Sequence, residues 1–154
     1  MHELKKRGIA VVGLMISNAI TETDKQYRQG LLDYIYENAL ENDIFVPGFR
    51  KDISGILTVK DYVIVPSFEG LGLVTMEAMS SRTPVVAMDS GGSYELLKAA
   101  GCGVVYSTSG SEADITDAVI EAMNEPDKQL ERGYQFCEIQ SYKNYSKGLH
   151  QIFE

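Results

Sequence analysis

The sequence predicts an α/β fold of three layers: a parallel sheet of about five strands with helices on both faces. Three observations carry that expectation. Short β-branched apolar runs alternate with longer amphipathic stretches along the chain. The first run, Ile9-Ala10-Val11-Val12-Gly13-Leu14, is continuously apolar, as a strand buried on both faces should be. The second and third runs stop at Pro47-Gly48 and Pro66-Ser67, where a crossover connection has to turn.

The elements follow in order. After the strand over 9–14, Thr23-Asp24 can cap a helix whose Tyr27, Leu31, Ile35 and Ala39 recur every four residues. Tyr27 and Tyr34 on that helix read as packing residues and Tyr36 as a rim residue. A second strand covers 43–46, and Ile53, Ile56 and Leu57 suggest a brief helix behind Asp52. Residues 62–65 form a third strand, 73–81 a helix, 84–88 a strand, 93–100 a helix and 103–106 a strand. Ser111 followed by Asp114 resembles a capping box opening a helix through Ile115, Val119 and Met123. Pro126 suits the first turn of another helix, and Tyr145, Leu149, Ile152 and Phe153 stripe a closing one.

Composition narrows the functional classes. A chain of 154 residues suits one domain, 1–154, and 44% hydrophobic with 23% charged residues is normal for a globular protein. Lys and Arg number 14 against 22 Asp and Glu, a net charge of -8 that argues against nucleic acid as a partner. The same charge disfavours an anionic membrane surface as sole partner. Cys102 and Cys137 are too few for a disulfide framework, which suggests a reduced, cytoplasmic setting. Met1 to Arg7 is charged, and the apolar run behind it is about half a membrane span, with no cleavage signal following. His2 and His150 lack metal-ligand spacing, and Cys102, between Gly101 and Gly103, reads as buried rather than reactive.

Ligands of parallel sheets bind beyond the carboxyl ends of the strands, and there the sequence is informative. Pro66-Ser67-Phe68-Glu69-Gly70-Leu71-Gly72-Leu73 brackets a helix start with glycines, leaving N–H groups uncovered for a phosphate. Glu69 lies in the loop, and Glu77 falls eight positions later, inside the helix beside Met76 on its inward edge. A carboxylate there requires satisfaction, which a ribose diol would supply. Gly91, Gly92 and Glu95 mark a second glycine turn after the next strand, at the same sheet edge.

These residues resemble the C-terminal, nucleotide-sugar-binding half of GT-B glycosyltransferases of group 1 (glycosyltransferase family 4), a Rossmann-like fold. The likeness rests on Pro66-Ser67 to Glu77-Ala78-Met79, on Pro84-Val85-Val86-Ala87, and on Gly91-Gly92 to Glu95. Residues 46–53, Val-Pro-Gly-Phe-Arg-Lys-Asp-Ile, resemble the family's turn beside the nucleobase. The resemblance implies that Glu69 contacts the donor sugar and that the N–H groups of Gly70, Leu71, Gly72 and Leu73 meet sugar and diphosphate. It assigns Glu77 to the ribose and Phe49 and Arg50 to the rim of the base. It further implies a retaining hexosyltransferase of polysaccharide biosynthesis, with a UDP-, GDP- or ADP-linked sugar as donor substrate and no metal or other cofactor.

The chain also departs from that family. The acceptor-binding half and the first strand–helix unit of the donor half have no counterpart, so the sequence reads as a donor domain, inactive alone. Donor binding is then expected to be no tighter than roughly millimolar. Loss of a central strand predicts that residues 9–14 pair directly with 62–65, or that a second copy fills the gap. Its partners are then the missing acceptor domain or a homo-oligomer formed through a strand edge or the closing helix. The setting is cytoplasmic, peripheral to the membrane in a full-length enzyme. Arg82 stands where the family has Gly, and the expectation is a different helix end there, since a left-handed turn costs a residue bearing Cβ about 1–2 kcal/mol. Two other classes compete: a flavodoxin-like FMN module using Ser17 to Thr23, and a non-enzymatic interaction module using the closing helix.

Overall fold

The computed structural model describes residues 1–141, so the expected closing helix, with Tyr145, Leu149, Ile152 and Phe153, lies outside the described residues. The chain forms two compact units, Met1–Ile53 and Ser54–Glu154.

The first unit contains α1 (His2–Lys6), β1 (Gly13–Leu14), α2 (Glu22–Glu37) and β2 (Ile44–Phe45). The two strands are parallel, with Gly13 opposite Ile44 and Leu14 opposite Phe45. Leu4, Ile35 and Leu40 supply its buried apolar residues, and Lys5 Nζ pairs with Asp43 just ahead of β2. The cap of α2 is Thr21 rather than Thr23: its hydroxyl accepts from Asp24 N while the Asp24 carboxylate accepts from Thr21 N. Tyr27 and Tyr34 are exposed, not packed, because α2 turns Ile35 inward and carries the tyrosines on its other sides. Tyr36 is exposed, as a rim residue should be.

The second unit is built on β3 (Val63–Val65), β4 (Val85–Met88) and β5 (Val104–Tyr106), parallel and in that spatial order. Val85, Val86 and Ala87 are consecutive and fully buried, so both faces of β4 are covered. The cover comes from α4 (Leu73–Ser80), α5 (Gly91–Ala100) and α6 (Glu112–Met123), while α7 (Asp127–Ile139) packs on α4 and α5. The short α3 (Ile53–Leu57) lies at the boundary of the units; the Leu57 carbonyl accepts from the buried Thr83 hydroxyl at 2.7 Å. Ser111 and Asp114 form the expected capping box of α6. Pro126 is the N-cap of α7.

Three expectations are corrected. Five strands form among the described residues, but as a two-stranded and a three-stranded sheet. Only Gly13 and Leu14 of the apolar run over 9–14 are strand, because a run takes up that state where a neighbour satisfies its amides, and β2 does so for two residues. The third correction is at Arg82, which keeps the left-handed conformation, φ 54°, instead of ending the helix differently. Its guanidinium compensates: Nε donates to Glu131 Oε2 at 2.9 Å, and the group lies 3.6 Å from the Tyr134 ring centroid. Arg82→Ala keeps the backbone strain and removes both contacts, whereas Arg82→Gly removes the strain as well. Thermal denaturation should therefore rank Arg82→Ala below both wild type and Arg82→Gly.

Cys102 is buried beside β5, as expected, and burial first, then Glu125, pushes its thiol up to about 11. Glu125, between α6 and α7, accepts the Gly103 N–H on Oε1 at 2.6 Å, while Oε2 is buried without a partner among the described residues. Burial raises its carboxyl above the ordinary range, against the Gly103 bond that lowers it, and Glu121 adds to the rise. A carboxyl raised on folding stabilises most when protonated, and that contribution is lost as pH climbs through the folded value. Glu125→Gln should thus flatten the fall in melting temperature from the acid range toward neutrality, measured against wild type over the same pH series.

Candidate functional site

Two loops at the carboxyl edge of the three-stranded sheet make the site. The first, Pro66 to Gly72, follows β3 and ends on Gly72, the N-cap of α4, at φ 64°. The second, Asp89-Ser90-Gly91, follows β4 and opens α5. Neither helix has a side-chain cap, in contrast to α2 and α6 with their capping boxes. Leu73 and Val74 lead α4 at the positive end of the helix dipole, exposed and with no side-chain cap for their amides, while Thr75 behind them is buried.

The loops interlock through backbone. Gly92 N donates to the Glu69 carbonyl at 2.5 Å. A Cβ on Gly91 would sit 2.7 Å from the Glu69 oxygen, and one on Gly92 would sit 2.6 Å from the Gly70 oxygen. Beneath them the buried hydroxyls of Thr75 and Ser93 join α4 to α5 at 2.8 Å. The sequence reading named the glycines but missed this hydroxyl pair. A threonine and a serine eighteen positions apart give no local signal of burial.

The structure therefore brings together Glu69, Gly70, Gly72, Gly91 and Gly92. Leu71 and Phe68 project from the first loop, 76% and 72% exposed, and Leu73 is exposed at the start of α4. Glu69 is half-buried. Glu77 is not on the inward edge: α4 buries Thr75, Ala78 and Met79, which turns Glu77 to solvent. Glu77 therefore bears no burial cost for a ribose diol to relieve. Glu95 is likewise exposed, on α5. Among the described residues no hydrogen bond or ion pair engages the carboxylates of Glu69 and Glu77. Phe49 and Arg50 belong to the first unit, where Phe49 is exposed and Arg50 is paired with Asp52. The turn carrying them is pinned by Arg28 of α2, whose Nη2 donates to the Val46 carbonyl at 3.3 Å. No group of three or more His, Cys, Asp or Glu placed to hold a metal occurs among the described residues. No helix among them is long and apolar enough to cross a membrane.

Both loops stand at the carboxyl edge of the three-stranded parallel sheet, the edge at which ligands of such sheets bind. Residues 2–135 match the family described as Glycosyl transferases group 1, and the chain belongs to it. A lipopolysaccharide core biosynthesis mannosyltransferase, LpcC, of Rhizobium leguminosarum bv. viciae is 42% identical over 65 residues, covering 42% of this chain and 18% of that enzyme. The crystal structure of Anabaena Alr3699/HepE in complex with UDP-glucose superimposes with a TM-score of 0.75 at 23% identity, covering 94% of this chain and 41% of that one. The C-terminal domain of a glycosyl transferase group 1 family protein (LpcC) from Francisella tularensis aligns with a TM-score of 0.62 at 19% identity, covering 92% and 91% of the two chains. The chain thus spans less than half the length of the Rhizobium and Anabaena proteins and nearly all of the Francisella domain.

The interlock sets two expectations for urea denaturation. Ser93→Ala leaves the Thr75 hydroxyl buried without its partner and should cost about 1–3 kcal/mol. Gly92→Ala drives Cβ into the Gly70 backbone, which cannot swing aside, and should be more damaging than Ser93→Ala.

Proposed function

We propose that this chain is the donor-binding domain of a retaining glycosyltransferase and holds a nucleoside-diphosphate sugar at the Glu69–Leu73 and Gly91–Glu95 loops. The observation that carries the reading is the pair of interlocked, uncapped helix starts flanked by unpaired carboxylates. In this reading the open amides of α4 take the diphosphate, whose charge grows as the sugar departs, and preorganised N–H donors stabilise it without rearrangement. Glu69 accepts from sugar hydroxyls and the exposed Glu77 from the ribose diol, each by charge-assisted hydrogen bonds. Glu95 extends the polar mouth. The transfer draws on no resident metal.

The Anabaena structure holding UDP-glucose and the Rhizobium mannosyltransferase support a nucleotide sugar as the ligand class. The acceptor is bound by a separate domain, and this chain alone turns over poorly, because group transfer needs both substrates enclosed. Its setting is cytoplasmic, peripheral to the membrane in the whole enzyme.

Ligand-observed NMR with UDP, GDP and ADP sugars tests the reading. One nucleotide should bind at about millimolar strength, and Glu77→Ala should weaken it at least about tenfold, the worth of hydrogen bonds to a charged group. Binding unchanged in both Glu77→Ala and Glu69→Ala would overturn the site.

A further inference from the structure

Asp89, one residue beyond β4, does more than turn the chain. Its backbone N–H donates to the Tyr106 carbonyl at 2.9 Å. Its Oδ1 accepts both the Thr108 hydroxyl, at 2.6 Å, and the Thr108 amide, at 2.8 Å. Those bonds, the hydroxyl foremost, hold the carboxyl below the usual range. The loop after β4 is therefore clasped to β5 and to the loop behind it.

From Asp89 the chain has little slack before the site. Ser90 is extended at φ -153°, Gly91 is left-handed at φ 77°, and Gly92 already donates to Glu69. Gly91 and Gly92 approach the Glu69 and Gly70 backbone too closely to admit a Cβ. A shift of Asp89 is thus transmitted to the first loop rather than absorbed.

We propose that the Asp89–Thr108 clasp is a positioning device: through Gly91 and Gly92 it sets the placement of the Glu69–Gly72 loop against its ligand. The inference rests on the donor-site reading for what the loop holds, but the coupling itself is a property of the free protein. Asp89 and Thr108 are both exposed, so the clasp contributes little to global stability, and its effect is local.

The test reads two quantities, amide hydrogen exchange at Gly92 and the affinity for UDP, in wild type, Asp89→Ala, Asp89→Asn and Thr108→Val. Asp89→Ala should speed Gly92 exchange and weaken UDP about tenfold, with exchange in β4 and the melting temperature close to wild type. Asp89→Asn keeps an oxygen acceptor and should restore both readouts. Thr108→Val removes the hydroxyl alone and should fall between. Wild-type exchange and affinity in Asp89→Ala would overturn the proposal, as would an Asn variant as impaired as the Ala one. If wild type itself does not bind UDP, UDP is not this site's ligand, while Gly92 exchange still decides whether the clasp governs the loop.

Discussion

The hydrogen bond from Gly92 to the Glu69 carbonyl is the constraint on which the site depends. It joins the turn after β3 to the turn after β4 at backbone level, across a gap too narrow for any side chain. Two helices thereby begin side by side, and the buried Thr75–Ser93 hydroxyl pair joins their first turns. A side-chain contact could have been replaced by another of similar size. This contact cannot, because three glycines and a buried hydroxyl pair must coincide. Rigidity at the loops fixes the direction of the amides they carry.

Helix starts differ in how they are closed. At α2 and α6 a hydroxyl and a carboxylate satisfy leading amides. At α4 and α5, as at α1 and α7, no side chain does so. The chain carries a net charge of -8, which repels an anion at long range. On the proposed reading, local donors at the start of α4 outweigh that field, because their partial charges act at contact distance while distant carboxylates are screened.

The elements most legible in the sequence were those decided by near neighbours. The capping box at Ser111 and Asp114, the glycine turn before α4 and the apolar β4 run each depend on a few consecutive residues. The glycine turns at Gly70 to Gly72 and at Gly91 to Gly92 were legible for the same reason. The errors fell where the answer lay across the fold. Which side of α4 is buried depends on α7 and the sheet, so Glu77 was placed inward although Thr75, Ala78 and Met79 take that side. Arg82 holds a conformation suited to glycine because Glu131 and Tyr134, some fifty residues later, stabilise it.

By itself the sequence determined the class of fold, the strand and helix order, and the glycine loops at the carboxyl edge, since hydrophobic period and turn residues act over short spans. Tertiary structure alone decided that the strands divide between two sheets, that the glycine loops lock onto each other, and that Thr75 and Ser93 meet in the core. The reason is physical: ladder pairing, close backbone approach and the burial of polar groups depend on what lies opposite, and local sequence does not name the residue opposite.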